Sequence, residues 1–202
     1  VLDKIQKTLE AGESVRSLEF TEKELEFVKP LQLITTKPVL YVCNVDEDAA
    51  VDGNDYVEKV REAVKNENAE VLVLAVGTEA DINELEDYEE RQEFLSDIGL
   101  DEPGAAKLIR AAYKLLNLQT YFTAGVKEVR AWTINIGDSA PQAAGVIHTD
   151  FEKGFIRAEV IKYNDYVALG SEAKVKEAGK LSVEGKEYIV QDGDMMNFRF
   201  NV

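Results

Sequence analysis

Two short polar segments, each closing an apolar run, hold the side chains best placed to recognise a ligand. The first is Asn44-Val45-Asp46-Glu47, after the run Pro38 to Cys43; the second is Ala75-Val76-Gly77-Thr78-Glu79-Ala80, at the end of the run Ala69 to Val76. Continuous apolar runs of this length read as strands buried in a parallel sheet, and ligands of such sheets gather at the carboxyl ends of the strands. An asparagine amide offers a donor and an acceptor to a heterocycle. A carboxylate three residues on accepts further N–H groups, and small residues let backbone approach closely. Residues 44–47 taken alone serve equally well as a helix cap or turn. Two such segments in order, about thirty residues apart, point to a ligand more specifically than either does.

The elements that must position them follow from periodicity. Asp55 to Asn66, with Tyr56, Val57, Val60 and Val64 on one face, predicts an amphipathic helix and hence a strand–helix–strand unit. A further helix is expected over Asp81 to Leu95, and Pro103-Gly104 opens another carrying Leu108, Ile109, Ala112, Leu115 and Leu116. Upstream, Leu2, Ile5 and Leu9 share a helical face that stops at Gly12. Thr21 and Glu24 form a capping box for a helix running towards Pro30, so residues 1–36 read as part of a helical hairpin. A chain that begins inside a helix is expected to be part of a longer polypeptide. Beyond Leu118 short strand-like runs, Val129 to Ile136, Phe155 to Ile161, Lys186 to Val190 and Met196 to Val202, alternate with Gly-containing turns. The expected domains are 1–36, 37–116 and 117–202.

The 202 residues include 23 Lys+Arg and 39 Asp+Glu, a net charge of −16. Most of it lies in front: Val1–Leu118 holds 13 basic and 27 acidic residues, Gln119–Val202 holds 10 and 12. Such a field repels phosphate backbones, so autonomous DNA binding is not expected. No run approaches the roughly 20 apolar residues of a spanning helix, and no leader is evident, so the expected location is the cytoplasm. Cys43, without a partner for a disulfide, reads as a buried inert thiol, and His148 alone cannot build a zinc site of nitrogen and sulfur ligands. His148 is expected to be a structural histidine near a turn, with RNA contact as the alternative. Lys127, Arg130, Lys153 and Arg157 form either a small basic patch or ordinary solvated charge, while Trp132 and Phe155 read as core. The acidic stretch Asp81 to Glu93 reads as a solvated helix face. No catalytic or metal-ligating residue is assigned.

In P-loop GTPases the loop corresponding to Asn44–Glu47 is N-K-x-D, whose aspartate accepts both N1–H and the exocyclic amine of guanine. Here Val45 and Glu47 stand in the lysine and aspartate places, which argues for adenine. Asn117 to Thr133, the run Ala143 to Ala158, Tyr188 to Asp194 and the ending Asn197 to Val202 resemble the YchF family of Obg-like ATPases. The resemblance covers nearly the whole chain. It implies an α/β plus α+β fold: part of a P-loop NTPase α/β domain with part of a helical hairpin insertion, then a β-grasp TGS domain. It also implies ATP with Mg2+ as ligand, ribosome association, with the large subunit expected, and adenine contacts from Asn44, the Val45 backbone and Glu47; Ala75 and Val76, at the end of the second apolar run, are the contacts expected on the other side of the base. A G-x-x-x-x-G-K-[ST] loop is absent, and no D-x-x-G loop or magnesium-binding threonine loop is assigned, so this chain alone is not expected to hydrolyse ATP. The alternative is a non-catalytic TGS interaction module for a ribosome, RNA or regulatory protein.

Overall fold

The computed structural model describes residues 1–67, 69–125 and 128–201, and the chain divides into two compact units, Val1–Leu116 and Asn117–Val202. In the first, α1 (Leu2–Glu10) and α2 (Glu22–Val28) enclose a small core of Ile5, Val15 and Val28. The chain leaves α1 through Gly12, at φ +76°, a left-handed conformation that glycine adopts without a Cβ penalty. At the start of α2, Thr21 accepts the Glu24 N–H and the Glu24 carboxylate accepts the Thr21 N–H at 2.9 Å, so each satisfies a donor that the other leaves free. Arg16 ties this helical segment to the next. Its guanidinium donates to the Lys37 carbonyl at 3.0 Å and to Glu67 at 3.2 Å.

β1 (Leu40–Asn44) and β2 (Glu70–Leu74) pair in parallel, Asn44 opposite Leu74, with α3 (Asp55–Val64) as the crossover that parallel strands require. Asn54 caps α3, its Oδ1 accepting from the N–H groups of Tyr56 and Val57. Two expectations change here. Ala75 to Ala80 is not a loop: Ala75 is the N-cap of α4 (Val76–Glu84), which follows β2 directly. The helix expected over Asp81 to Leu95 is two, α4 and α5 (Tyr88–Asp97), because Leu85 turns extended and Asp87 starts a new helix by accepting from Glu89 and Glu90 at 2.7 and 3.3 Å. The carboxylates from Asp81 to Glu93 are exposed. α6 (Gly104–Leu115) begins just after Pro103. Ala50, Ala75, Ile82, Leu95 and Leu100 form a buried cluster with Val45 packed against it. Burial of a side chain such as Ile82 or Leu95 stabilises by about 1.5–3 kcal/mol, and here it sets a floor under the strand ends. The strands are less enclosed than expected, with Val42 44% exposed and Cys43 half-buried.

The second unit is a five-stranded mixed sheet in the order β4 (Val129–Asn135), β3 (Leu118–Ala124), β7 (Asp194–Phe200), β5 (Phe155–Lys162), β6 (Ser182–Glu184). Only β3 and β7 are parallel. α7 (Ala140–Ile147) lies on one face. Its Ala140, Ala143 and Ala144 are fully buried, so the helix approaches Tyr121, Ile134, Ala158, Met196 and Phe198 closely. The Tyr121 hydroxyl donates to the Ala143 carbonyl at 2.9 Å, which satisfies the one polar atom of a buried ring. The strand expected over Lys186 to Val190 does not form; a single bridge joins Ile189 to Ser139, and the Tyr188 carbonyl accepts the Ala140 N–H. The last strand runs Asp194–Phe200, and Val202 lies outside the described residues.

Tyr188 is drawn instead to Asp194, which is fully buried. The Asp194 carboxylate accepts from Lys162 Nζ at 2.6 Å, the Tyr188 hydroxyl at 2.6 Å and the Gln191 N–H at 2.9 Å. Burial alone would lower the Lys162 pKa, but its hydrogen bonds to Asp194 and Tyr188 outweigh that and hold it above the ordinary lysine value. Burial, reinforced by Asp194, likewise raises the Tyr188 phenol. Lys162 therefore stabilises the fold fully below its unfolded value near 10.4 and loses that contribution as pH rises through its folded value. Tyr188 acts in the same direction, since above about pH 10 the unfolded phenol ionises first. The midpoint of urea unfolding, followed by Trp132 fluorescence, should fall between pH 9 and pH 11, and Asp194→Asn should flatten that dependence; equal slopes in both proteins would contradict this assignment.

Candidate functional site

β1 and β2 end side by side, and their pairing continues one residue further through the Val45 N–H, which donates to the Leu74 carbonyl at 2.9 Å. Asn44 reaches across in turn, its Oδ1 accepting the Val76 N–H at 3.1 Å. Val76 opens α4, so its N–H is one of those a helix leaves without an internal partner. Ala75 has no side-chain group to cap it, and Asn44 supplies the acceptor. A third link joins the Thr78 hydroxyl to Glu47 Oε2 at 3.5 Å, and Thr78 is only 6% exposed.

The expected residues Asn44, Val45, Glu47, Ala75 and Val76 thus share one patch at the carboxyl ends of the strands. Asn44 and Glu47 are exposed, Val76 is exposed, Val45 is half-buried and Ala75 is buried. With Asn44 Oδ1 and the Val45 N–H engaged, the patch presents the Asn44 Nδ2 as a donor, the Val45 and Val76 side chains as apolar surface, and a Glu47 oxygen as an acceptor.

Glu79 anchors the patch from behind. Its carboxylate accepts the N–H groups of Gly104 at 2.6 Å and Ala105 at 3.4 Å, placing a negative charge at the positive end of α6. A Cβ on Gly104 would meet the ends of the Leu74 and Glu79 side chains, which would have to shift to admit it. Asp101-Glu102-Pro103-Gly104 carries the letters D-x-x-G once in the sequence. It does not make a free loop, because Gly104 is already the first residue of α6 and its N–H is taken by Glu79.

Sequence reasoning did not single out Thr78 or Glu79 as partners. Their contacts span 31 and 25 residues, which no local period reveals. Away from the patch, His148 caps the short helix α8 (Thr149–Lys153), its Nδ1 accepting the Asp150 N–H at 3.2 Å. Trp132 is half-buried and donates to Thr123 at 2.9 Å, with the Arg130 guanidinium 4.0 Å over its ring, and Phe155 is buried. Arg157 lies near Glu159, and Lys127 of the expected basic patch lies outside the described residues. Among the described residues no three His, Cys, Asp or Glu side chains converge as metal ligands, and no helix is long and apolar enough to cross a membrane.

The fold is a mixed α/β one that matches solved structures. The structure described as that of the Schizosaccharomyces pombe YchF GTPase superposes with a TM-score of 0.83 at 34% identity, over 98% of this chain and 53% of that one. A GTP binding protein from Pyrococcus horikoshii OT3 shares the fold alone, with a TM-score of 0.55 at 15% identity, over 83% of this chain and 47% of that one. Residues 118–201 match the family model YchF-GTPase_C, described as a protein of unknown function (DUF933). The protein named ribosome-binding ATPase YchF in Pasteurella multocida is 54% identical over the whole chain and 55% of its own length. Its namesake in Bacillus subtilis is 53% identical over the whole chain and 56% of its own length. The chain is thus similar along its whole length to the C-terminal region of YchF-family proteins, and spans about half the length of the curated relatives it matches.

Asn44→Ala should lower stability to urea by about 1 kcal/mol by leaving the Val76 N–H without its acceptor, whereas Asn44→Asp, which keeps an acceptor at a helix N-terminus, should stay within about 0.5 kcal/mol of the parent.

Proposed function

We propose that this chain is the C-terminal portion of a cytoplasmic, ribosome-binding ATPase, and that its strand-end patch reads adenine. The observation that carries the reading is the set of three cross-links, Asn44–Val76, Val45–Leu74 and Glu47–Thr78, which hold the two segments as one preformed surface. Asn44 Nδ2 donates to N7, which both purines share. The Val45 carbonyl accepts from the N6 amine of adenine and repels O6 of guanine. Glu47 offers a further acceptor towards that amine, and Val76 gives the ring an apolar flank, backed by the buried Ala75. The relatives' names differ on nucleotide, ATPase for the bacterial proteins and GTPase for the yeast structure, so this chemistry carries the choice.

In this reading Val1–Leu116 is part of the helical insertion and the second half of an OBG-type nucleotide-binding domain, and Asn117–Val202 is a TGS domain of β-grasp type. Parallel strands are ordinarily covered on both faces, so the 44% exposure of Val42 fits a sheet completed by the rest of a longer protein. The phosphates of ATP, and the Mg2+ that accompanies them, would be held by residues outside this sequence, which contains no G-x-x-x-x-G-K-[ST] loop. The chain alone is therefore inactive in hydrolysis. The ribosome, through its large subunit, is the proposed partner of the complete protein.

A second reading, a non-catalytic interaction module, is favoured by one observation: residues 118–201 match a family model by themselves and enclose their own core. Calorimetric titration with Mg-ATP and Mg-GTP separates the two. The chain alone should bind neither measurably; a version extended N-terminally to the length of its relatives should bind ATP more tightly than GTP, and Asn44→Asp in that version should weaken ATP about tenfold without loss of stability. No binding, or preference for GTP, in the extended protein would favour the module.

A further inference from the structure

We infer that Thr78 is a positioning residue that sets base specificity, by occupying one oxygen of the Glu47 carboxylate so that it cannot receive guanine. The inference rests on the adenine-reading function proposed above and assigns it a residue outside the base-reading motif.

Thr78 lies in the first turn of α4 and is 6% exposed, while Glu47 is exposed at the rim of the patch. A buried hydroxyl must find a partner, and no buried side-chain polar atom among the described residues lacks one. The partner of Thr78 is Glu47 Oε2, at 3.5 Å. The hydroxyl is fixed in turn by the backbone of α4, whose start is held to β1 through Asn44 and whose Glu79 is anchored on α6. Thr78 thus engages Oε2 of Glu47, whose other oxygen, on an exposed residue, is the one offered to a ligand.

Guanine presents two donors along one edge, N1–H and the exocyclic N2 amine, and its recognition by a carboxylate uses both oxygens side by side. Adenine presents one amine, N6, and an unprotonated N1. A carboxylate with a single outward oxygen takes the one N–H of the adenine amine that the Val45 carbonyl leaves over, but leaves one guanine donor unpaired in a desolvated contact, which is costly. The longer glutamate side chain serves this arrangement, because it spans from the turn after β1 to Thr78. Replacing the threonine hydroxyl by a methyl group removes the tether, frees both oxygens and relaxes the discrimination.

The test uses the protein extended N-terminally to the length of its relatives, with the ratio of ATP to GTP affinity measured by calorimetry. Thr78→Val, which conserves shape, should lower that ratio about tenfold, and Thr78→Ser, which restores the hydroxyl, should keep it within about twofold of the parent. Thermal unfolding verifies that each variant is folded. If Thr78→Val does not fold, Thr78→Ala serves, since it also removes the hydroxyl, and the ratio should fall likewise. A parent that prefers ATP together with an unchanged ratio in a folded Thr78→Val variant would overturn the role of Thr78 alone. A parent without preference for ATP would overturn the base-reading patch itself, and this inference with it.

Discussion

The carboxamide of Asn44 accepts the first N–H of α4, 32 residues on in sequence, and through that bond two strand ends become one surface. The constraint is a matter of unsatisfied donors: a helix that starts directly from a strand, with alanine at its cap, has nothing of its own to offer its leading N–H groups. The same economy recurs around the patch. Glu79, one turn into α4, serves the start of α6, whose cap Pro103 likewise has no capping side chain. Asp87 serves the start of α5. Each helix around the strand ends is begun by an acceptor, and two of those acceptors come from another element, so the patch is braced by the caps as well as by the apolar cluster of Ile82, Leu95 and Leu100 beneath it.

What was legible in the sequence was local. The apolar run ending at Asn44, the capping box of Thr21 and Glu24, and Pro103-Gly104 at the head of α6 are each encoded within a few residues, and each appears where its chemistry requires. The break between α4 and α5 was missed although Asp87 and Glu90 stand at capping-box spacing, because the helical period of the flanking residues runs through it. α7 was missed for a related reason: Ser139 and Gln142 form a capping box, but the alanines that follow carry little periodic signal, and their small size matters only once a sheet lies beneath them. β3 was hidden by Gln119, Thr120 and Thr123, whose polar groups are satisfied by partners distant in sequence or across the hairpin. The false strand at Lys186 to Val190 shows the converse, a plausible alternation overridden by one buried charge, Asp194.

The candidate patch divides in the same way. Asn44, Val45, Glu47, Ala75 and Val76 could be named from their position after apolar runs, but the commitments of their polar atoms could not. Those commitments decide the chemistry: Asn44 has spent its oxygen and keeps its amide nitrogen, Val45 has spent its N–H, and Glu47 has one oxygen engaged. A motif read as letters leaves all of these groups free, and the fold leaves a particular subset.

Amide hydrogen exchange at Val76 tests the central interaction most directly. The account predicts that this N–H, the first of its helix and set in an exposed residue, is protected in the parent and in Asn44→Asp and exchanges freely in Asn44→Ala. Free exchange in the parent, or protection that survives Asn44→Ala, would contradict it.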